Sequence, residues 1–185
     1  MPLAAAGQVY ESGPAHHAEA AFKYDAYVGF AYTSLNQVNL SRYGLMGGQV
    51  SVTRDWGQYF GLRGSAEYYK RPYSSALPGN PGNPSVYSVL AGPEFHMKIY
   101  GKVGGLAFAE LGVEHTGGEN MSPNTSFAGG YGGGATYDFG RRLAIEVTGD
   151  RVGASFSLIN NTPQLALSPH VTWNSRATLG AVYRF

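Results

Sequence analysis

Lys23, Asp25, Arg63, Glu67, Glu94, His96, Lys98, Glu110, Glu114, Glu146, Asp150, Arg176 and Arg184 are the side chains whose types and spacing could do chemistry. Carboxylates, guanidinium groups and an imidazole gathered in one place make a salt-bridge network, a proton path or an acid–base site. A hydrolase needs more: a nucleophile or activated water, a base and an orienting acid that converge. Two His–Ser neighbourhoods are candidates, His115 near Ser126 and His170 near Ser168. Neither carries a hydrolase motif, and such proximity is common by chance. His16 and His17 fall in a stretch without periodicity and read as part of a tail rather than as metal ligands. Cysteine is absent, which removes disulfides, thiolate metal sites and a cysteine nucleophile. Gly130, Gly132 and Gly134 form no phosphate loop, because no helix start follows them. They leave room for a bulky neighbour such as Arg63 or Phe108, or for water. The reading is of a protein that is not an enzyme and has no cofactor or metal.

The elements that must position this charged set are β-strands. Period-two alternation runs through Phe22 to Thr33, Gly44 to Asp55, Tyr59 to Tyr69, Ser85 to Lys98, Lys102 to His115, Thr125 to Asp138, Arg142 to Val152 and Trp173 to Phe185. In the last of these, Phe185, Tyr183, Ala181, Leu179 and Ala177 share one face, and Arg184, Val182, Gly180, Thr178 and Arg176 share the other. The whole charged set falls on the second kind of face. Long polar connections (34–43, 70–84, 116–124 and 153–172) alternate with short turns at Asp55 to Gln58, Ile99 to Gly101 and Phe139 to Arg141. In a meander, all long loops then lie at one end and all short turns at the other. Pro93 cannot donate a ladder hydrogen bond, so it predicts a bulge or a local break in pairing. Residues 1–20 read as a flexible tail and 21–185 as one all-β domain.

Composition narrows the solvent. Charged residues are 14% of the chain, below the roughly 25% usual for a soluble domain. Gly (27) and Tyr (14) are abundant, and the net charge of +1 gives no electrostatic case for nucleic acid. No apolar run approaches the roughly 18 residues of a transmembrane helix. A strand of about 11 residues at about 3.3 Å rise, tilted about 40°, spans roughly 27 Å, which matches the apolar band of a membrane barrel.

Alternation alone does not say which face is inside. A soluble lipocalin-like calyx would turn the apolar face inward. Three features favour the inverted, membrane barrel. The charged class is rich in Gly, Ser and Thr rather than Lys and Glu. The apolar class has aromatic ends: Phe22, Tyr24, Phe60, Phe95, Tyr137, Phe139, Tyr183 and Phe185 towards the turns, and Phe30, Tyr32, Tyr68, Phe127 and Trp173 towards the loops. That is a two-girdle pattern. The chain also stops on an aromatic residue.

In layout and in its terminal Tyr183-Arg184-Phe185, the chain resembles the small eight-stranded bacterial outer-membrane barrels of the OmpA, OmpX and opacity-protein type. The resemblance implies an eight-stranded antiparallel up-and-down transmembrane β-barrel with a charged lumen, four long outer loops and three short periplasmic turns. It implies an outer-membrane location and Tyr183 and Phe185 as the signal read by the barrel-assembly machinery. It implies outer-membrane lipid and lipopolysaccharide as surroundings. The first residues (MPLAAAG) lack the basic start and long apolar run of a signal peptide, so a removed signal is expected. Some such barrels are lipid A deacylases, palmitoyl transferases or proteases, but no motif of theirs is present. The expected role is structural or surface display, including adhesion, with a lumen plugged by its own charges. A protein partner would meet the loops or the glycine-rich lipid face at Gly129 and Gly133. The alternative is a transport or apolar-ligand barrel opening beside Pro93.

Overall fold

The computed structural model describes residues 23–36, 42–71, 83–119, 123–154 and 172–185. The predicted tail, Phe22, His16, His17, Ser168 and His170 lie outside the described residues. Eight strands close on themselves in chain order: β1 (Tyr24–Asn36), β2 (Arg42–Asp55), β3 (Phe60–Lys70), β4 (Asn83–Tyr100), β5 (Val103–Glu119), β6 (Asn124–Asp138), β7 (Leu143–Ala154) and β8 (Thr172–Arg184). Every neighbouring pair is antiparallel, and β1 meets β8 from Asp25↔Arg184 to Ser34↔Ser175. Closure removes every sheet edge, so each strand has a backbone partner on both sides.

The wall is inverted relative to a water-soluble barrel. Val28, Phe30, Val50, Val89, Leu111, Phe127, Val147 and Leu179 are exposed on the outside, while Arg63, Glu67, Glu94, Glu110 and Arg176 are buried inside. Only a hydrocarbon solvent makes that arrangement favourable. Leu179 is 57% exposed in the central part of β8. A Leu179→Arg substitution is expected to destabilise the barrel in lipid vesicles by about 2–4 kcal/mol. Urea unfolding in vesicles measures this, and a loss below about 0.5 kcal/mol would contradict a lipid-facing Leu179.

Two outer connections are shorter than the sequence predicts. The pairs Ser34↔Gly44, Leu35↔Tyr43 and Asn36↔Arg42 continue β1 and β2 through the span read as loop 34–43. Asn83↔Glu119 and Thr116↔Asn124 do the same for β4, β5 and β6 across 116–124. Polar residues there are compatible with strand because the backbone ladder continues through them past the apolar band. Between strands, 37–41 and 120–123 are short, and 71–82 and 155–171 remain long.

Pro93 interrupts β4 without moving it. Against β5 the ladder runs to Ala91↔Leu111 and resumes at Glu94↔Phe108 in the same register, skipping Gly92 and Pro93. Against β3 the pairing Leu62↔Pro93 is kept. The strands stay close at the gap: a Cβ on Gly92 would run into the Ala109 carbonyl. The true irregularity in β4 lies between Lys98 and Tyr100.

Candidate functional site

The inward faces build two charge layers across the lumen. In the layer nearer the turns, Arg63 of β3 is 1% exposed. Its Nη1 lies 2.7 Å from Glu94 Oε2 and 3.3 Å from Glu146 Oε1, and its Nε lies 3.6 Å from Glu110 Oε1. Thr53 donates to Glu94 at 3.2 Å. The guanidinium also stands 4.8 Å over the Phe108 ring, a cation–π contact that uses the face its hydrogen bonds leave free. β3, β4, β5 and β7 thus all converge on one cation. A buried cation needs such a cage, because stripping its water costs several kcal/mol.

The second layer is centred on Arg176 of β8. Its guanidinium pairs with Glu67, and with Asp150 at 2.6–2.7 Å. Glu67 also accepts from Gln49 at 2.8 Å, from Tyr69 at 2.9 Å and from Ser88 at 2.9 Å. Glu114 is buried next to this layer, and its Oε1 has no hydrogen-bond partner among the described residues. Thr148 and Thr178 bond each other at 2.6 Å between the layers.

Above the charges, towards the loop end, the interior turns apolar. Ala31, Leu35, Leu45, Tyr69, Val86, Leu90, Ala128, Val152 and Ala154 pack into one buried cluster. Below the charges, towards the turns, the lumen widens into a funnel of about 680 Å³ whose lining includes Asp25, Asp55, His96, Asp138, Glu146 and Arg184. There Arg184 reaches Asp138 at 2.8 Å and Asp25 at 3.4 Å, while His96 Nε2 lies 3.2 Å from Glu94 and 3.4 Å from Asp55.

Several sequence expectations need correction. Lys23 and Lys98 belong to the inward parity class, but both are exposed at the turn-side mouth and form no ion pair among the described residues. They lie past the point where the wall encloses its contents. His115 does not face Ser126: its Nδ1 bonds Thr125 Oγ1 at 2.7 Å on the outer face, whereas Ser126 points inward opposite Glu114. The register pairs His115 with Thr125, and successive residues of a strand point to opposite faces, so Ser126 turns away from His115. The spaces over Gly130, Gly132 and Gly134 are taken by β7, since added Cβ atoms would meet Val152, Asp150 and Thr148. Asp55 and Asp138, on inward faces at strand ends but outside the charged set singled out in the sequence, join the network through His96 and Arg184. The apolar cluster is absent from the sequence reading too, and its signal there is the inward parity of Leu90 and Val152.

The aromatic residues form rim contacts at both ends. Tyr24 and Tyr183 stack on Phe185, Phe60 meets Phe95, and Tyr137 meets Phe139 at the turn end. Tyr68 meets Tyr87 with centroids 4.6 Å apart, and Tyr131 meets Trp173, at the loop end. Phe30, Tyr32 and Phe127 stand exposed on the outer wall.

No family model and no curated protein matches the chain. Solved structures do. Neisserial surface protein A superposes with a TM-score of 0.70 at 12% identity, over 88% of this chain and 97% of that one. Ail, the attachment invasion locus protein of Yersinia pestis, gives 0.58 at 18% identity over 89% and 99%. Ail has also been solved with the heparin analogue sucrose octasulfate. The N-terminal barrel domain of Pseudomonas aeruginosa OprF gives 0.53 at 14% over 89% and 98%. The fold is that of the small eight-stranded outer-membrane barrels. Taken with the apolar outer wall, it places this barrel in a bacterial outer membrane.

Proposed function

We propose that the protein is a non-enzymatic outer-membrane barrel whose lumen is closed, and which serves as a rigid anchor for connections displayed at the loop end. The observation that carries this is the stack of three fillings across one narrow bore: the Arg63 layer, the Arg176 layer and the apolar cluster around Leu35, Leu45 and Leu90. An eight-stranded barrel is just wide enough for its own side chains. Each guanidinium is held by carboxylates from other strands, so opening a path means separating buried ion pairs. That separation is costly. The β4–β5 gap at Pro93 offers no lateral exit, because the two backbones touch there.

Display fits the same frame. β4 and β5 stay paired up to Asn83↔Glu119 at the loop end, two residues past the Lys70↔Ser85 pair that ends β3 there. Ail, with the same fold, was solved in complex with the heparin analogue sucrose octasulfate, a precedent for ligand binding by such a scaffold. Planar-bilayer recording tests the closed lumen: reconstituted protein is expected to give no stable conductance step. A long-lived open channel in the unmodified protein would overturn the closed-lumen reading.

A further inference from the structure

The carboxylates and cations of the wall are sorted. Among strand residues with described side chains, every Asp and Glu faces the lumen, while the ionised groups facing outward are Arg54, Lys70 and Arg151, all cations. Arg54 sits at the turn end beside Trp56. Arg151 is different, because it belongs to a polar row on an otherwise apolar wall. The register places Tyr131, Arg151, Ser175 and Ser34 side by side on β6, β7, β8 and β1. All four occupy outward positions. Trp173, one outward position further up β8, meets Tyr131 with centroids 6.0 Å apart. Arg151 makes no side-chain hydrogen bond or ion pair among the described residues.

Depth decides what such a row can meet. From Leu143 to Arg151 strand β7 climbs roughly 20 Å along the membrane normal, at about 3.3 Å per residue and about 40° tilt. The guanidinium therefore starts just inside the loop-side girdle and reaches the headgroup level by extending upward. There the row offers a guanidinium fork, two serine hydroxyls, a phenol and an indole N–H. It offers no carboxylate. That donor set complements a phosphate, and the planar fork can bind two of its oxygens at once. On the bilayer side of the row, Gly149 leaves open space over β7, where an acyl chain can lie flat.

We infer that Arg151, with Ser175, Ser34 and Tyr131, forms a site on the outer wall for the phosphate-bearing headgroup of an outer-leaflet lipid. This rests on the membrane placement of the barrel and not on the closed lumen, so a conductance result leaves it untouched. The occupant is a lipid rather than free phosphate, because the row borders the apolar wall at headgroup depth.

The test uses the full chain refolded in detergent and native mass spectrometry of its bound lipid. Three probes are compared: bisphosphorylated lipid A, the same lipid without phosphates, and inorganic phosphate. The bisphosphorylated lipid is expected to bind best. Arg151→Gln is expected to weaken it about tenfold, to the level of the dephosphorylated form, while Arg54→Gln changes nothing. A heat-modifiable gel shift checks that each variant is a folded barrel, and Arg151→Lys serves as a second variant that keeps the charge and recovers part of the binding. Equal binding by Arg151→Gln and the unmodified protein would overturn the site. Displacement of the lipid by millimolar inorganic phosphate would overturn the lipid as its occupant.

Discussion

Replacing Arg63 by alanine is expected to destabilise the folded barrel by about 3–5 kcal/mol, with no stable conductance gained. The large cost follows from what stays behind. Glu94, Glu110 and Glu146 converge on that one guanidinium from three other strands, and each is buried. Without the cation they repel one another where water is scarce, and the Phe108 ring loses its charged neighbour. Urea unfolding in vesicles at neutral pH reads the loss. Restoring the balance discriminates between missing volume and missing charge. Arg63→Met combined with Glu94→Gln, Glu110→Gln and Glu146→Gln is expected to recover most of the stability, since replacing a whole buried ionic cluster by neutral groups of similar size is often neutral or better. If the fourfold variant is as unstable as Arg63→Ala, packing rather than charge holds the layer. Conductance stays absent in either case because the Arg176 layer and the apolar cluster above it remain.

The strength of these layers comes from their reach around the wall. Arg63 and Glu94 sit on adjacent strands, but Glu146 lies on β7, across the lumen from β3. Arg176 on β8 likewise reaches Glu67 on β3. Each guanidinium therefore ties non-neighbouring strands together, adding crosslinks that the backbone ladder does not supply. A barrel whose wall is braced in this way can hold outer connections in a fixed geometry, which is the property an anchor for displayed segments needs.

Much of the architecture was legible in the sequence because an inverted wall makes two unlike faces. Val28, Phe30 and Tyr32 alternate with Tyr27, Ala31 and Thr33, and one parity choice then orients the whole strand. Strand number and up-and-down order follow from that alternation and the turn signals. What stayed hidden has physical reasons. Period two says which face a residue takes but not how far along the bore it sits, so Lys23 and Lys98 shared a class with Arg63 yet ended at an open mouth. Pairing partners depend on the register of strands far apart in sequence, so nothing local joins Glu67 to Arg176. The inward Leu35, Leu45 and Val86 broke the rule that an inverted barrel has a polar inside. Leu35 was lost for a further reason: its polar neighbours read as a loop, although the ladder with β2 continues through them.

A chain ending at Arg184 is expected to yield at least about tenfold less folded barrel than the unmodified protein. Phe185 closes the wall through its backbone. Its N–H donates to Tyr24 O at 2.9 Å, and its carbonyl accepts from Tyr24 N at 3.1 Å and Lys23 N at 3.2 Å. Its ring stacks on Tyr24 at 5.7 Å and on Tyr183 at 6.1 Å, at the seam where β8 meets β1 and the barrel closes. At about 1 kcal/mol per hydrogen bond and about 0.5–1 kcal/mol per ring pair, the deletion removes several kcal/mol from the seam. Phe185→Ala keeps the backbone bonds and is expected to cost only about 1–2 kcal/mol in refolding from urea. The two variants also separate closure from recognition. We propose that the Tyr183 and Phe185 rings are in addition the signal read during assembly in the cell. On that reading, Phe185→Ala refolds well when purified but reaches the outer membrane as poorly as the shortened chain, measured as heat-modifiable protein in membrane fractions. If its membrane level instead follows its modest loss of stability, the rings serve only the seam between β1 and β8.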